Sequence, residues 1–212
     1  MKPANTKTVL KRLGKVFAKQ TAFSGRKMNA FQCLVGTVLS ARTRDENTEK
    51  ASAALFAFYP TAEKLARAPL KRIEKLIHNT GFYHVKARHV KQLAQMLLRD
   101  YGGKVPDIME ELLKLPGVGR KVAGCVLVYA FRTPAIPVDV HVFRVGKRLG
   151  WHEEKTPEKA ETALMKLIPK GNWIDVNNLL VLHGQNTCLP RNPKCGECVL
   201  NDICPSAFRN NI

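Results

Sequence analysis

Acidic residues are scarce in this sequence: 17 Asp and Glu stand against 35 Lys and Arg in 212 residues, a formal net charge of +18. That much unbalanced charge works against compactness unless a polyanion uses it, so a nucleic acid is the expected ligand. No run approaches the ~18 consecutive apolar residues that a membrane span needs. The stretch Met1-Lys2-Pro3-Ala4-Asn5-Thr6-Lys7 has no signal-peptide apolar region either. The expected location is therefore the reducing, cytoplasmic interior. Asn-Gly and Asp-Gly hairpin turns are missing, as is sustained period-two alternation, which argues against a β architecture. Heptads, fixed-period repeats and low-complexity tracts are absent too, which disfavours coiled coils and solenoids. No linker marks a domain boundary.

What the sequence does hold is helical apolar spacing, with 45% hydrophobic residues to build a core. The class is all-α. Ala30, Phe31, Cys33, Leu34, Val35, Val38 and Leu39 form a run too apolar to face water, and Asn29 with Gln32 reads as its capping box. Pro69 suits the first turn of a helix through Leu70, Ile73, Leu76 and Ile77, with Gly81 as its end. Tyr83 to Tyr101 reads as the next helix, stopped by Gly102-Gly103. Further helices are expected at Asp107 to Lys114, Arg120 to Phe131, Val138 to Leu149, Thr156 to Ile168 and Trp173 to Leu182.

Three segments carry chemistry. In Leu115-Pro116-Gly117-Val118-Gly119-Arg120-Lys121, two glycines two apart let backbone approach a ligand, and the N–H groups opening the next helix suit a phosphate. A plain tight turn between helices is the competing reading. Lys121 follows on the first turn of a helix otherwise lined by Val122, Ala123, Cys125, Val126 and Val128. A positive helix end beside Arg120 is a setting for an amine nucleophile, against the ordinary alternative of a solvated lysine. In Val138-Asp139-Val140-His141-Val142-Phe143-Arg144, Asp139 is an N-cap, a catalytic carboxylate, or both. His141 reads as a hydrogen-bonded structural residue, and Arg144 as one that orients an acid or a phosphate.

Four of the six cysteines, Cys188, Cys195, Cys198 and Cys204, crowd into one C-terminal stretch. In a reducing compartment that reads as metal ligation before disulfides. Zinc sites usually show two separated C-x2-C pairs, whereas here one pair is flanked by single cysteines, which leans toward an iron–sulfur cluster without deciding it. Arg191 and Lys194, in the loop between the first two, suit phosphate contacts or a plain basic surface. Cys33 and Cys125 sit in apolar helices and read as inert core residues.

Leu-Pro-Gly-Val-Gly-Arg-Lys, then Val-Asp-Val-His-Val-Phe-Arg, then C-x6-C-x2-C-x5-C, in that order and spacing, closely resembles the endonuclease III family of helix-hairpin-helix DNA glycosylases. The match runs from about Phe31 to Cys204. Leu39-Ser40-Ala41 with Asp45, and Gly81-Phe82-Tyr83 with Lys86-Ala87, resemble further family segments. The resemblance implies a six-helix lobe over 23–133, a [4Fe–4S] cluster lobe from 1–22 and 134–212, and duplex DNA in a cleft between them. It implies Lys121 as nucleophile, Asp139 as its carboxylate, and the four cysteines as cluster ligands. Oxidised pyrimidines in duplex DNA are the expected lesions, removed by a monomer with cleavage of the strand. Two departures bear on specificity: the family commonly has Gln where Arg42 stands, a residue that fills the gap left by a flipped base, and Leu where Phe82 stands. Other readings remain open: the same chemistry on 8-oxoguanine or mismatched uracil, a catalytically silent DNA-binding protein, or a zinc-stapled module.

Overall fold

The computed structural model describes residues 2–18, 20 and 28–209. Among the described residues the regular elements are eleven α-helices and two short 3-10 turns, with no strand. No helix among them is long and apolar enough to cross a membrane. They divide into two compact units, 28–133 in one, and 2–18, 20 and 134–209 in the other. The expected lobe boundary near residue 23 lies outside the described residues.

The 28–133 unit is built around α2 (Ala30–Ser40). The capping box is present: Asn29 Oδ1 accepts from Gln32 N–H at 2.9 Å, and Gln32 Oε1 accepts from Asn29 N–H at 3.4 Å. Phe31, Cys33, Leu34, Val35, Val38 and Leu39 are all buried, and the one buried hydroxyl in the helix, Thr37, donates to Cys33 O at 2.7 Å. Around it lie α3 (Asp45–Phe58), α4 (Ala62–Arg67), α5 (Leu70–Leu76), α6 (Tyr83–Tyr101), α7 (Met109–Leu112) and α8 (Arg120–Phe131). The helix α2 packs on α3, α6 and α8, while α4 and α5 pack on α6. Ala87, Val90, Leu93, Ala94 and Leu97 form the buried stripe of α6 at three- and four-residue spacing. Gly102 ends it at φ +59°, and Gly103 N–H reaches Leu97 O at 2.8 Å.

Several boundaries differ from the sequence expectation. Helix α5 ends at Leu76, not at Gly81, whose smallness serves a different contact described below. Only Met109–Leu112 of the expected Asp107–Lys114 segment is helical. Helix α3 has no marked apolar stripe in the sequence, because only Ala51 and Leu55 of its side chains are buried; α4 and the N-terminal α1 (Thr6–Val16) are likewise beyond the sequence expectation.

In the second unit, α1 (Thr6–Val16) and α9 (Val140–Arg148) pack on α11 (Trp173–Asn186), and α10 (Pro157–Leu167) packs on α9. Its core includes Leu13, Ile136, Val142, Trp151, Leu164 and Leu180. The chain start is tied in by Ala4, whose N–H donates to Leu149 O at 2.9 Å and whose carbonyl accepts from Trp151 Nε1 at 2.8 Å. Helix α11 runs four residues past the expected Leu182 and delivers the chain to Cys188.

Candidate active site and cluster site

The hairpin joins α7 to α8. Leu115 and Val118 are buried, and Val118 N–H donates to Leu115 O at 3.1 Å, so the turn is anchored by its apolar residues. Gly117 has φ +78°, and a Cβ there would stand 2.9 Å from His89 Nδ1 on α6; glycine is required on both counts. Gly119, the N-cap of α8, has open space where a Cβ would be, and no side chain caps that helix end. An uncapped helix N-terminus with nothing over its glycine can take a phosphate on its backbone N–H groups. Arg120 is exposed and Lys121 half-buried on the first turn, ahead of the buried run Val122–Val128.

Asp139 is the N-cap of α9. Its Oδ1 accepts from His141 N–H at 2.9 Å and from Val142 N–H at 2.8 Å, which fixes the carboxylate in one orientation. Arg144, one turn on, donates through Nη2 to Gly184 O at 2.9 Å and through Nε and Nη2 to Cys188 O at 3.2 and 3.0 Å, with His141 Nδ1 at 3.2 Å. Apart from His141 on its own helix, its partners are backbone carbonyls, so it fastens the end of α11 and the chain just beyond it to α9. Gly184 leaves the room: a Cβ there would stand 2.9 Å from His141 Nδ1 and 3.0 Å from Arg144 Nη2. Lys121 and Asp139 belong to different units, and each is placed by its own surroundings.

Cys188, Cys195, Cys198 and Cys204 line one cavity of about 40 Å³, together with Arg148 and His183. Burial, and to a lesser degree the other thiols, push Cys198 and Cys204 above the usual thiol range, while the Leu200 N–H pulls Cys198 the other way. Arg148 Nη1 donates to Cys188 Sγ at 3.3 Å and Leu200 N–H to Cys198 Sγ at 3.4 Å. Four thiols converging on one cavity, two of them already receiving N–H donors, fit a cluster that coordinates them as thiolates. No three His, Cys, Asp or Glu side chains among the described residues are gathered closely enough for a single ion. Such a cluster would supply a rigid cross-link for the C-terminal turns.

Arg148 also donates to Leu189 O at 2.6 Å and Pro190 O at 3.0 Å, pinning the loop on which Arg191 and Lys194 stand exposed. Sequence reading passed over Arg148 and His183. A basic residue in the last turn of α9 has an ordinary explanation in the helix dipole, which hid the specific one. Burial first, then Arg144, lowers His183 to about 4, and its neutral ring sits with Nε2 3.7 Å from Cys198 Sγ. Away from these sites, burial pushes the Cys33 thiol up to about 12, so it stays an unreactive core residue.

Arg42 and Phe82 are brought together. Both have positive φ, 51° and 58°, both are exposed, and the Arg42 guanidinium lies 5.6 Å from the centre of the Phe82 ring. Between them Gly81 donates to Thr43 Oγ1 at 3.1 Å, and a Cβ on Gly81 would stand 2.6 Å from Arg42 O. That approach is why residue 81 is glycine.

A hairpin with an open, uncapped helix end, and a four-thiol pocket beside a pinned basic loop, define a class of DNA repair protein that sequence comparison bears out. Residues 35–170 match the HhH-GPD superfamily of base excision DNA repair proteins, to which the chain belongs. Residues 188–204 match the iron–sulfur binding domain of endonuclease III, which favours the cluster over zinc. Endonuclease III of Thermotoga maritima is 45% identical over 92% of each chain. A non-covalent endonuclease III–DNA complex and a trapped endonuclease III–DNA covalent intermediate each superpose with a TM-score of 0.88 at 37% identity, covering 95% of this chain and 94% of theirs. The enzyme class that follows is a DNA glycosylase with AP lyase activity.

Proposed function

We propose that this chain removes oxidised pyrimidines from duplex DNA, acting as a monomer on chromosomal DNA in the cytoplasm, and cuts the strand through a Schiff base on Lys121. The observation that carries the reading is the placing of Lys121 on the first turn of α8, directly after a glycine hairpin whose helix end is open and uncapped. Backbone N–H groups of Gly117, Gly119 and Arg120 grip a phosphate, while Leu115 and Val118, joined by their own backbone bond, anchor the turn. The flanking lysine is thereby set next to a sugar.

The neutral amine of Lys121 attacks C1′ of an extruded nucleotide, and the C1′–N bond to the damaged base breaks, the base leaving with the bonding pair and taking up a proton. Asp139, held by two N–H donors on one oxygen, stabilises the positive charge that develops on the sugar and accepts the lysine's proton. Ring opening gives an iminium between Lys121 and C1′. Loss of a C2′ proton then drives electrons toward the iminium and expels the 3′ phosphate, and water releases the enzyme. His141 and Arg144 support Asp139's helix from behind. Arg42 and Phe82 occupy the hole left in the stack, and Arg191 and Lys194 contact phosphates beside the [4Fe–4S] cluster held by the four cysteines.

The test is a panel of duplexes carrying thymine glycol, 8-oxoguanine or mismatched uracil, each incubated with borohydride, which reduces an iminium to a stable protein–DNA adduct. Adduct on thymine glycol in preference to the other two is expected. Preference for 8-oxoguanine or uracil would overturn the lesion class, and absence of any adduct would overturn the chemistry.

A further inference from the structure

Lys86 is buried, and among the described residues no carboxylate pairs with it. Its side chain leaves the first turn of α6 and is only 6% exposed. Its ammonium donates to Leu39 O at 2.7 Å, to Ala41 O at 2.6 Å and to Thr43 Oγ1 at 2.7 Å. An ammonium has three donors, and all three are used. Burial lowers this lysine to about 8, so the charge is kept inside against a cost that an apolar chain of equal length would not meet.

The three acceptors show what the charge holds. Leu39 and Ala41 carry carbonyls at the C-terminal end of α2, which has no basic residue of its own in the last turn, so Lys86 caps that helix from another element. Ala41 and Thr43 flank Arg42. Thr43 Oγ1 also accepts the Gly81 N–H at 3.1 Å, and the Lys86 backbone N–H donates to Phe82 O at 3.1 Å. Lys86 thus braces the segment around Arg42 through its ammonium, and Phe82 through its backbone N–H and the Thr43–Gly81 bond; Arg42 and Phe82 both sit in the left-handed region without being glycine, a conformation that persists only where surroundings over-determine it.

We infer that Lys86 is the positioning residue that holds Arg42 and Phe82 in their paired arrangement, and so sets the rate of lesion extrusion while leaving bond-making to other groups. The inference rests on the reading above in which Arg42 and Phe82 replace the extruded nucleotide. A fixed pair meets the duplex ready to fill the gap; a loose one must be ordered at that moment, at a cost in rate.

The experiment compares Lys86→Met, Thr43→Val, Phe82→Ala and the Lys86→Met/Phe82→Ala double variant with wild type under single-turnover conditions. Substrates are a thymine glycol duplex and the same duplex with a preformed abasic site, with 2-aminopurine beside the lesion to report unstacking. Lys86→Met should slow base removal and the fluorescence rise together by about tenfold or more, with abasic cleavage within about twofold of wild type. The double variant should be no slower than the slower single one, because both act through one structure. If the two defects multiply, or if Lys86→Met matches wild type while Phe82→Ala slows base removal, Lys86 does not position the pair and the inference is overturned. If Phe82→Ala slows both substrates equally, the underlying reading of Phe82 fails, and this inference with it. Should Lys86→Met lose iron or helical circular dichroism, Thr43→Val carries the same expectation on a smaller scale, and a wild-type rate there would overturn it.

Discussion

The Arg42 guanidinium faces the Phe82 ring at 5.6 Å, and each residue holds a positive φ that arginine and phenylalanine seldom adopt. The pair is 40 positions apart in sequence and meets only because Gly81 lets the two backbones touch. A flat apolar ring at 63% exposure beside a fixed set of donors suits entry into a base stack with contact to the opposite base. Phe82→Ala should therefore slow base removal far more than cleavage of a preformed abasic site. Arg42→Gln should change the ranking of opposite bases, with guanine losing most. Single-turnover rates on damaged and abasic duplexes with each of the four opposite bases decide it; equal slowing throughout, with an unchanged ranking, counts against both roles.

Asp139 combines two jobs that substitution can separate. Asparagine also accepts N–H bonds at an N-cap, so Asp139→Asn should unfold within a few tenths of a kcal/mol of wild type, while Asp139→Ala should cost about 1 kcal/mol. Both should lose base removal by a large factor, since neither carries the charge. Urea unfolding and single-turnover rates on the same preparations check this. A fully active Asp139→Asn would reduce Asp139 to a helix cap.

Gly117 is the backbone hinge of the hairpin. Alanine there meets a positive φ and His89 Nδ1 at 2.9 Å, so Gly117→Ala should cost at least about 1 kcal/mol in stability and weaken binding to undamaged duplex. A Gly117→Ala/His89→Ala double variant should recover part of the stability, because the ring contacts are gone while the strain and the 3.1 Å approach of the residue 89 Cβ remain. No recovery in urea unfolding would mean that His89 yields freely.

The loop pinned by Arg148 presents Arg191 and Lys194 to solvent. Arg191→Ala and Lys194→Ala should each weaken binding across all duplexes and reduce the slope of log K against log salt by roughly one, with iron content unchanged. A loss confined to damaged duplex, at an unaltered slope, would point away from phosphate.

Much of this was readable in the chain because local chemistry fixes it. The Asn29–Gln32 box, the Gly102-Gly103 stop and the Asp139 cap each need only neighbours within six residues, and all three are found. Long-range partners were not readable. Lys86 has the look of an ordinary helix-surface cation, and its three acceptors lie 43 to 47 residues earlier. Arg144 suggested an acid or a phosphate, and its bonds instead go to carbonyls 40 and 44 residues on. Gly81 looked like a helix stop because glycine is commonest there, whereas what selects it is the approach of Arg42 O.

In the proposed mechanism Lys121 forms the covalent bond to DNA. The most direct measurement is borohydride trapping on a thymine glycol duplex with wild type and Lys121→Gln side by side, each shown by a binding assay to be on the DNA. Wild type should give one stable adduct whose digest carries the sugar fragment on Lys121, and Lys121→Gln should bind normally yet give no adduct, no base release and no strand break. Adduct formation by Lys121→Gln at the wild-type rate, or a fragment mapped to another lysine, would contradict the mechanism.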